Sequence, residues 1–191
     1  MSEPSDRQLT DLLDALGEAQ RIGMLGPGSL DLAIRRAWAF VDRCPKEARS
    51  FVDLGTGGGL PGLVVAVGRP DLSGLLVDRR AKRVDLVTRL VGRLGLADRI
   101  RTWAGDVVDL PVVMDDRWDV ATSRGFGPPS YTASLATPLL RPGGALLVSE
   151  PPESTGERWR DPAVVEAGLR LVDVADGVAL LRPIDLRPSV A

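Results

Sequence analysis

Between residues 50 and 149, short apolar runs alternate with stretches in which apolar side chains recur every three or four positions. That alternation is the pattern of a parallel sheet wrapped by helices on both faces. The runs predict strands at 50–54, 74–78, 100–104, 118–123 and 145–149. A helix is expected to start near Leu60, and another at 81–94, where Val84, Val87, Val91 and Leu94 keep helical spacing. Ahead of the first strand the periodicity is helical only. Residues 5–20 set Leu9, Leu12, Leu13 and Leu16 on one side, 23–28 break the helix, and Ser29 offers an N-cap for a second helix reaching Arg43 before Pro45 stops it. Beyond Pro151 the chain turns polar and proline-marked, then reads as a short helix at 162–168 and two strands at 169–174 and 178–181. Asp176-Gly177 between those strands is a hairpin signal. The expected architecture is α/β: a mostly parallel, seven-stranded, Rossmann-like sheet closed by an antiparallel C-terminal hairpin. On this reading the chain divides into an N-terminal helical extension (1–48), a sheet domain (49–184) and a tail (185–191).

Composition narrows the chemistry. The 191 residues, 44% of them hydrophobic, suffice for one sizeable core. Cys44 is the single cysteine and there is no histidine, which excludes an intramolecular disulfide, a Cys/His metal cluster and imidazole acid/base catalysis. No apolar run is long enough to cross a bilayer, and the first twenty residues carry acids rather than a basic start, so a cytoplasmic protein without a membrane role is expected. A net charge of -2 gives no global attraction to nucleic acid. Residues 79–101 are the local exception, with eight basic residues against two acids. They form either a solvated helix face or an RNA-facing patch.

The first strand ends in Asp53-Leu54-Gly55-Thr56-Gly57-Gly58-Gly59 and feeds a helix. Such a glycine loop at the carboxyl edge of a sheet is a general nucleotide site, because small residues let a ligand approach the backbone. Gly57, Gly59 and Gly62 satisfy Gly-x-Gly-x-x-Gly, and Asp78 follows at the spacing of a ribose-binding acid, so a nicotinamide or flavin dinucleotide is one reading. S-adenosylmethionine is the other, and two features favour it. Asp53 places negative charge where a pyrophosphate would be repelled and a sulfonium attracted. Pro61, in the expected first helical turn, lacks an amide that a phosphate cradle would use. In this reading Asp53, Gly55, Gly57 and Gly59 shape the cradle, Leu60 closes over the cofactor, and Asp78 accepts both ribose hydroxyls. Asp106 meets the adenine amino group, flanked by Val107 and Val108. Plainer roles stay open: Asp78 as a helix N-cap, Asp106 as a turn acid, Leu60 as a core leucine.

The segments Phe51-Val52-Asp53-Leu54-Gly55-Thr56-Gly57-Gly58-Gly59-Leu60-Pro61-Gly62, Arg69-Pro70, Leu75-Leu76-Val77-Asp78, Lys82-Arg83-Val84, Ser123-Arg124-Gly125-Phe126 and Leu139-Leu140-Arg141-Pro142-Gly143-Gly144 together resemble a known family. They are similar to the bacterial small-subunit ribosomal RNA guanine-N7 methyltransferases, also called glucose-inhibited division protein B. The resemblance spans most of residues 21–150. It implies a class I S-adenosylmethionine-dependent methyltransferase fold, cofactor contacts at Gly55, Leu60, Val107, Val108 and Arg124, and ribosomal RNA or the small ribosomal subunit as partner of a monomeric enzyme. Arg36, Arg80, Arg83 and Arg124 are the candidate RNA contacts, and no catalytic residue is assigned. Guanine N7 carries a lone pair and loses no proton on alkylation, so a chain without histidine can serve that reaction. The chain departs from the family at Ala37, where an Arg-His pair is common, at Val107-Val108 near the adenine, and at Glu150-Pro151, where a Lys-Gly is usual. Those departures keep two alternatives in view: methylation of another RNA or a small molecule, and a cofactor-binding protein without activity.

Overall fold

The structure is a computed structural model and describes residues 4–114 and 116–184. The tail expected at 185–191 lies outside the described residues. Seven strands, β1 (Ser50–Leu54), β2 (Ser73–Asp78), β3 (Ile100–Ala104), β4 (Trp118–Ser123), β5 (Leu140–Ser149), β6 (Leu169–Ala175) and β7 (Val178–Pro183), form one sheet in the order β3-β2-β1-β4-β5-β7-β6. β7 pairs antiparallel with both of its neighbours, and the other pairings are parallel. Asp176 and Gly177 turn the β6–β7 hairpin with φ of 52° and 71°, the left-handed pair of a type I′ turn, as the Asp-Gly signal leads one to expect.

Helices α1 (Asp6–Arg21), α2 (Leu30–Arg43), α3 (Gly62–Gly68) and α4 (Ala81–Arg93) cover one face. Helices α5 (Leu110–Val113), α6 (Pro129–Ala136) and α7 (Pro162–Glu166) cover the other. Strand alternation sorts side chains between the two layers: Phe51, Leu76 and Val120 pack under α1–α4, while Val52, Leu75 and Ala121 pack under α5–α7. α1 starts on a capping box between Ser5 and Gln8, and α2 on the Ser29 hydroxyl. The buried stripe of α1 is Leu12, Ala15, Leu16 and Ala19, rotated from the all-leucine stripe expected, because Leu9 and Leu13 stay 38% and 37% exposed. One further expectation changes, and one element is not anticipated. β5 begins at Leu140 rather than 145, across a register shift in its pairing with β4. α6, with its proline start and small polar residues, carries no strong apolar period and is not readable as a helix from its sequence. No described helix is long and apolar enough to cross a membrane.

Arg69, fully buried after α3, ties the N-terminal helices to the sheet domain. Its guanidinium forks onto Asp71 at 2.9 and 2.8 Å and also donates to the carbonyls of Pro45 at 3.1 Å and Ala48 at 3.3 Å. The turn between α2 and β1 thereby has its buried carbonyls satisfied by one side chain. Replacing Arg69 by Met keeps the bulk and strands those acceptors, at a cost of about 2–4 kcal/mol. Thermal unfolding of Arg69→Met should therefore fall roughly 5–15 °C below the wild type, and a midpoint within about 2 °C of it would contradict this role.

Candidate functional site

The glycine loop leaves β1 at the carboxyl edge of the sheet and is held from below. Asp53 shares the parity of Phe51 and therefore points to the α3 face, directly beside Thr122 of the neighbouring β4. Thr122 Oγ1 donates to Asp53 Oδ1 at 2.7 Å, and the Gly62 amide donates to Asp53 Oδ2 at 3.1 Å. Only glycine fits at 62, because a Cβ there would lie 2.6 Å from that same carboxylate oxygen. Burial pushes the Asp53 carboxyl up to about 6, with the Thr122 and Gly62 hydrogen bonds and the Arg124 charge working against the shift. The sequence reading put Asp53 against the cofactor; the structure puts it fully buried beneath the loop, outside both cavities described below. It also moves Pro61 out of the first helical turn, since α3 starts at Gly62, whose amide is taken by Asp53. The loop is a weak anion cradle for that reason, rather than because proline removes a donor.

Above the loop a cavity of about 210 Å³ is walled by Gly55, Asp78, Arg80, Arg83, Asp106 and Val107 among others. Asp78 ends β2 almost buried, and its two oxygens hold three elements in register. Oδ2 accepts from the Gly57 amide at 3.0 Å and from Arg83 at 3.2 Å, and Oδ1 accepts from the Arg80 amide at 2.9 Å, just before α4. Gly57 thus serves the turn and Gly59 packs against Leu63, and neither lines a cavity. Asp106 accepts from the Val108 amide at 3.2 Å, which caps the short turn Val107–Asp109. Val107 faces the cavity, whereas the Val108 side chain is 56% exposed and stands outside it.

A second, larger cavity of about 700 Å³ opens between α2, the segment leading into it, and the carboxyl ends of β4 and β5. Leu60, Arg36 and Arg124 line it, together with Phe40, Ser123 and Phe126. Neither Arg36 nor Arg124 has an ion-pair or hydrogen-bond partner among the described residues. Although Arg124 is exposed to the cavity, partial desolvation lowers its pKa; Asp53 opposes that shift and Arg36 adds to it. Two unpaired guanidiniums in one concave wall suit an anion. Phe126 belongs to both cavities and separates them: a Cβ on Gly55, at φ 69°, would meet its ring at 2.7 Å. Sequence reasoning assigned no role to Phe126, Ser123 or Thr122, although the first two stand in the motif that flanks Arg124.

Glu150, read from the sequence as an acid at the rim, has a side chain with no exposed surface. Trp159 Nε1 donates to it at 2.7 Å, Arg158 forks onto it, and the Ser154 hydroxyl also donates to it. Burial favours its neutral form, but these bonds outweigh it and hold the carboxyl below its usual range. The charge anchors the segment after β5 and is neutralised by Arg158, so it presents no net repulsion to an anion in the cavity. The basic stretch is likewise redistributed. Arg83 pairs with Asp78, Arg89 and Arg93 with Glu18, and Arg101 with Asp116, while Arg99 donates to the carbonyls of Ala66, Arg69 and Leu72. Arg79, Arg80 and Lys82, around the start of α4, are left without an ion pair among the described residues, and the first two line the smaller cavity.

A sheet ordered 3-2-1-4-5-7-6 with an antiparallel seventh strand, a glycine loop after β1 and an acid at the end of β2 defines the class I methyltransferase fold. Solved structures agree: an O-methyltransferase from Bacillus cereus in complex with SAH superposes with a TM-score of 0.62 at 14% identity, covering 93% of this chain and 90% of that one. The cofactor-bound Rv0187 from MTB does so with a TM-score of 0.61 at 20% identity, covering 93% and 89%. Within that class, residues 33–158 match the family described as rRNA small subunit methyltransferase G, GidB, and the chain belongs to this family. Ribosomal RNA small subunit methyltransferase G of Salinispora arenicola is 34% identical over 152 residues, 75% of this chain and 62% of that protein. Its counterpart in Thermobifida fusca is 32% identical over 151 residues, 75% of this chain and 60% of that protein. The chain therefore spans about three fifths of the length of these relatives.

The buried Asp53 gives the site a pH signature. Its folded pKa lies above the ordinary 3.8, so its contribution favours folding at acid pH and is lost as pH rises from 3.8 to about 6. The loss amounts to about 3 kcal/mol. Asp53→Asn cannot ionise; in urea unfolding, its stability relative to the wild type should improve by about 2–3 kcal/mol between about pH 4 and pH 7, whatever the constant offset between the two. A gap that does not change with pH would show that Asp53 ionises freely in the folded protein.

Proposed function

We propose that the chain transfers a methyl group from S-adenosylmethionine to N7 of a guanine in small-subunit ribosomal RNA. The observation that carries the reading is Asp78: an almost buried carboxylate, fixed between the glycine loop and α4, faces a small cavity that shares Phe126 with a larger one lined by two unpaired arginines. A ribose diol fits that acid, since two adjacent hydroxyls can donate to one carboxylate once Arg83 yields its place. The cavity beyond suits a phosphorylated acceptor. Family membership gives the same substrate class, the relatives being named for ribosomal RNA.

When bound, S-adenosylmethionine supplies an electrophilic methyl on a cationic sulfur. Gly55 lets the ligand lie close to the backbone, and Val107 and Leu60 cover its apolar surfaces from the two sides. The buried charge of Asp53 acts through the loop rather than by contact, and a cation above favours its ionised form. A guanine N7 acceptor would bring its own lone pair and would lose no proton, so it would ask no base of the protein. The protein's part is to place nucleophile and methyl in line and keep water away, so neither a histidine nor a catalytic base is required. Arg36 and Arg124 hold RNA phosphate at the large cavity. Arg80, with Arg79 and Lys82, extends the basic surface at the start of α4, and Arg83 serves Asp78 before it serves RNA. The sheet domain (49–184) carries the cofactor, the helical extension (1–48) walls the acceptor side, and the enzyme works as a monomer in the cytoplasm on ribosomal RNA or the small subunit. Glu150, one of the departures that suggested another substrate or lost activity beside Ala37 and Val107-Val108, is internally neutralised and by itself favours neither alternative.

Nucleoside mass spectrometry of ribosomal RNA from cells with and without the gene tests the proposal. The small-subunit fraction should lose one 7-methylguanosine per molecule without the gene, and complementation with Asp78→Ala should restore little of it. Unchanged 7-methylguanosine would sink the ribosomal substrate.

A further inference from the structure

We propose that Phe126 is the platform on which the acceptor base stacks, so that the large cavity is a nucleotide subsite with base and phosphate read by different side chains. The inference rests on the methyltransferase reading above and names the residue that would position its acceptor. Phe126 is one of only three phenylalanines in the chain, and it sits where the two cavities meet. Its ring lies over Gly55 and is backed by Tyr131, stacked at 5.9 Å between centroids and 20° between planes. Tyr131 is itself seated on Gly127, where a Cβ would meet the tyrosine ring at 2.8 Å. Gly55 and Gly127 thus leave room for the aromatic pair, and Phe126 stays partly exposed in the cavity wall.

What surrounds the ring is suited to a nucleotide rather than an apolar ligand. Arg124, two residues before it, and Arg36 across the cavity have no partners among the described residues. Ser123, at the end of β4, lies in the same wall with a buried hydroxyl that has no hydrogen-bond partner, a group buried proteins rarely leave unsatisfied. An aromatic face, a cation pair and an unmet hydroxyl are the three contacts that an unstacked base, its phosphate and its polar edge require. Placement follows from the same geometry: a base on Phe126 lies beside Gly55, where the smaller cavity begins, which is where a methyl donor bound over the glycine loop would point.

Guanosine 5′-monophosphate, guanosine and inorganic phosphate serve as probes in ligand-observed NMR on the full chain, with S-adenosylmethionine affinity measured separately by calorimetry. In the wild type, saturation transfer should reach guanine H8, and both 5′-monophosphate and phosphate should be displaced by each other. Phe126→Leu keeps an apolar filler without the π face. It should weaken the nucleotide about tenfold or more, leave phosphate binding as it was, and raise KM for RNA more than it lowers kcat, while Phe126→Tyr restores the nucleotide. Arg124→Ala should weaken nucleotide and phosphate alike. Nucleotide binding unchanged in Phe126→Leu overturns the platform. So does parallel loss of S-adenosylmethionine binding in that variant, which would make the ring a support of the glycine loop. A wild type that binds S-adenosylmethionine but neither the nucleotide nor guanosine overturns this inference alone, whereas one that does not bind S-adenosylmethionine overturns the reading beneath it.

Discussion

Asp53 sits fully buried beneath the glycine loop, and its two oxygens accept from strand β4 on one side and from the first amide of α3 on the other. The loop must pass over this carboxylate at contact distance, which is why residue 62 has no room for a side chain. From that tie the rest of the carboxyl edge is positioned. Gly55 is presented upward to the smaller cavity, Gly57 is drawn back onto Asp78, and Asp78 in turn fixes the first turn of α4. Two acids, one below the loop and one beside it, hold a backbone turn that has little apolar surface of its own.

The charges around the two cavities are mixed in sign and differ in which of them are paired. The smaller cavity is walled by Asp78 and Asp106 together with Arg79, Arg80 and Arg83, and the larger by Arg36, Arg124 and Arg158 together with Glu150 and Asp176. A cationic donor therefore depends on local contact with Asp78 rather than on the overall sign of its cavity, and an anionic acceptor on Arg36 and Arg124. Of the two acids at the larger cavity, Glu150 is closed off by Arg158, Ser154 and Trp159, while Asp176 stands exposed in the β6–β7 turn. The basic stretch 79–101 contributes less to the outer surface than its composition suggests, because most of its cations have partners within the fold.

Most of the sheet was legible because parallel strands buried on both faces leave continuous apolar runs, as in Ala145-Leu146-Leu147-Val148, and because Asp176-Gly177 admits one kind of turn. The parity of β1 also held information that a charge argument alone overlooked: Asp53 shares a face with Phe51, so it points into a core layer beneath the loop. Arg83 was read as an RNA contact since sequence shows charge but not its partner, and Asp78 is brought to it only by the β2–α4 turn. Glu150 was misread for the same reason, its partners lying four to nine residues further along in an irregular segment. Phe126 and Ser123 were within a recognisable motif, yet their roles depend on which cavity walls they complete, a property of the assembled edge and not of spacing.

If Asp53 holds its charge beneath a bound cation, donor binding must draw a proton off that carboxylate. Calorimetry of S-adenosylmethionine binding from about pH 5 to pH 8, in buffers of different ionisation enthalpy, measures both the affinity and the proton released. The expected result is an affinity that rises by up to about tenfold per pH unit below about pH 6 and then levels off, with proton release that disappears in Asp53→Asn. An affinity indifferent to pH across that range, or NAD binding more tightly than S-adenosylmethionine, would contradict the account.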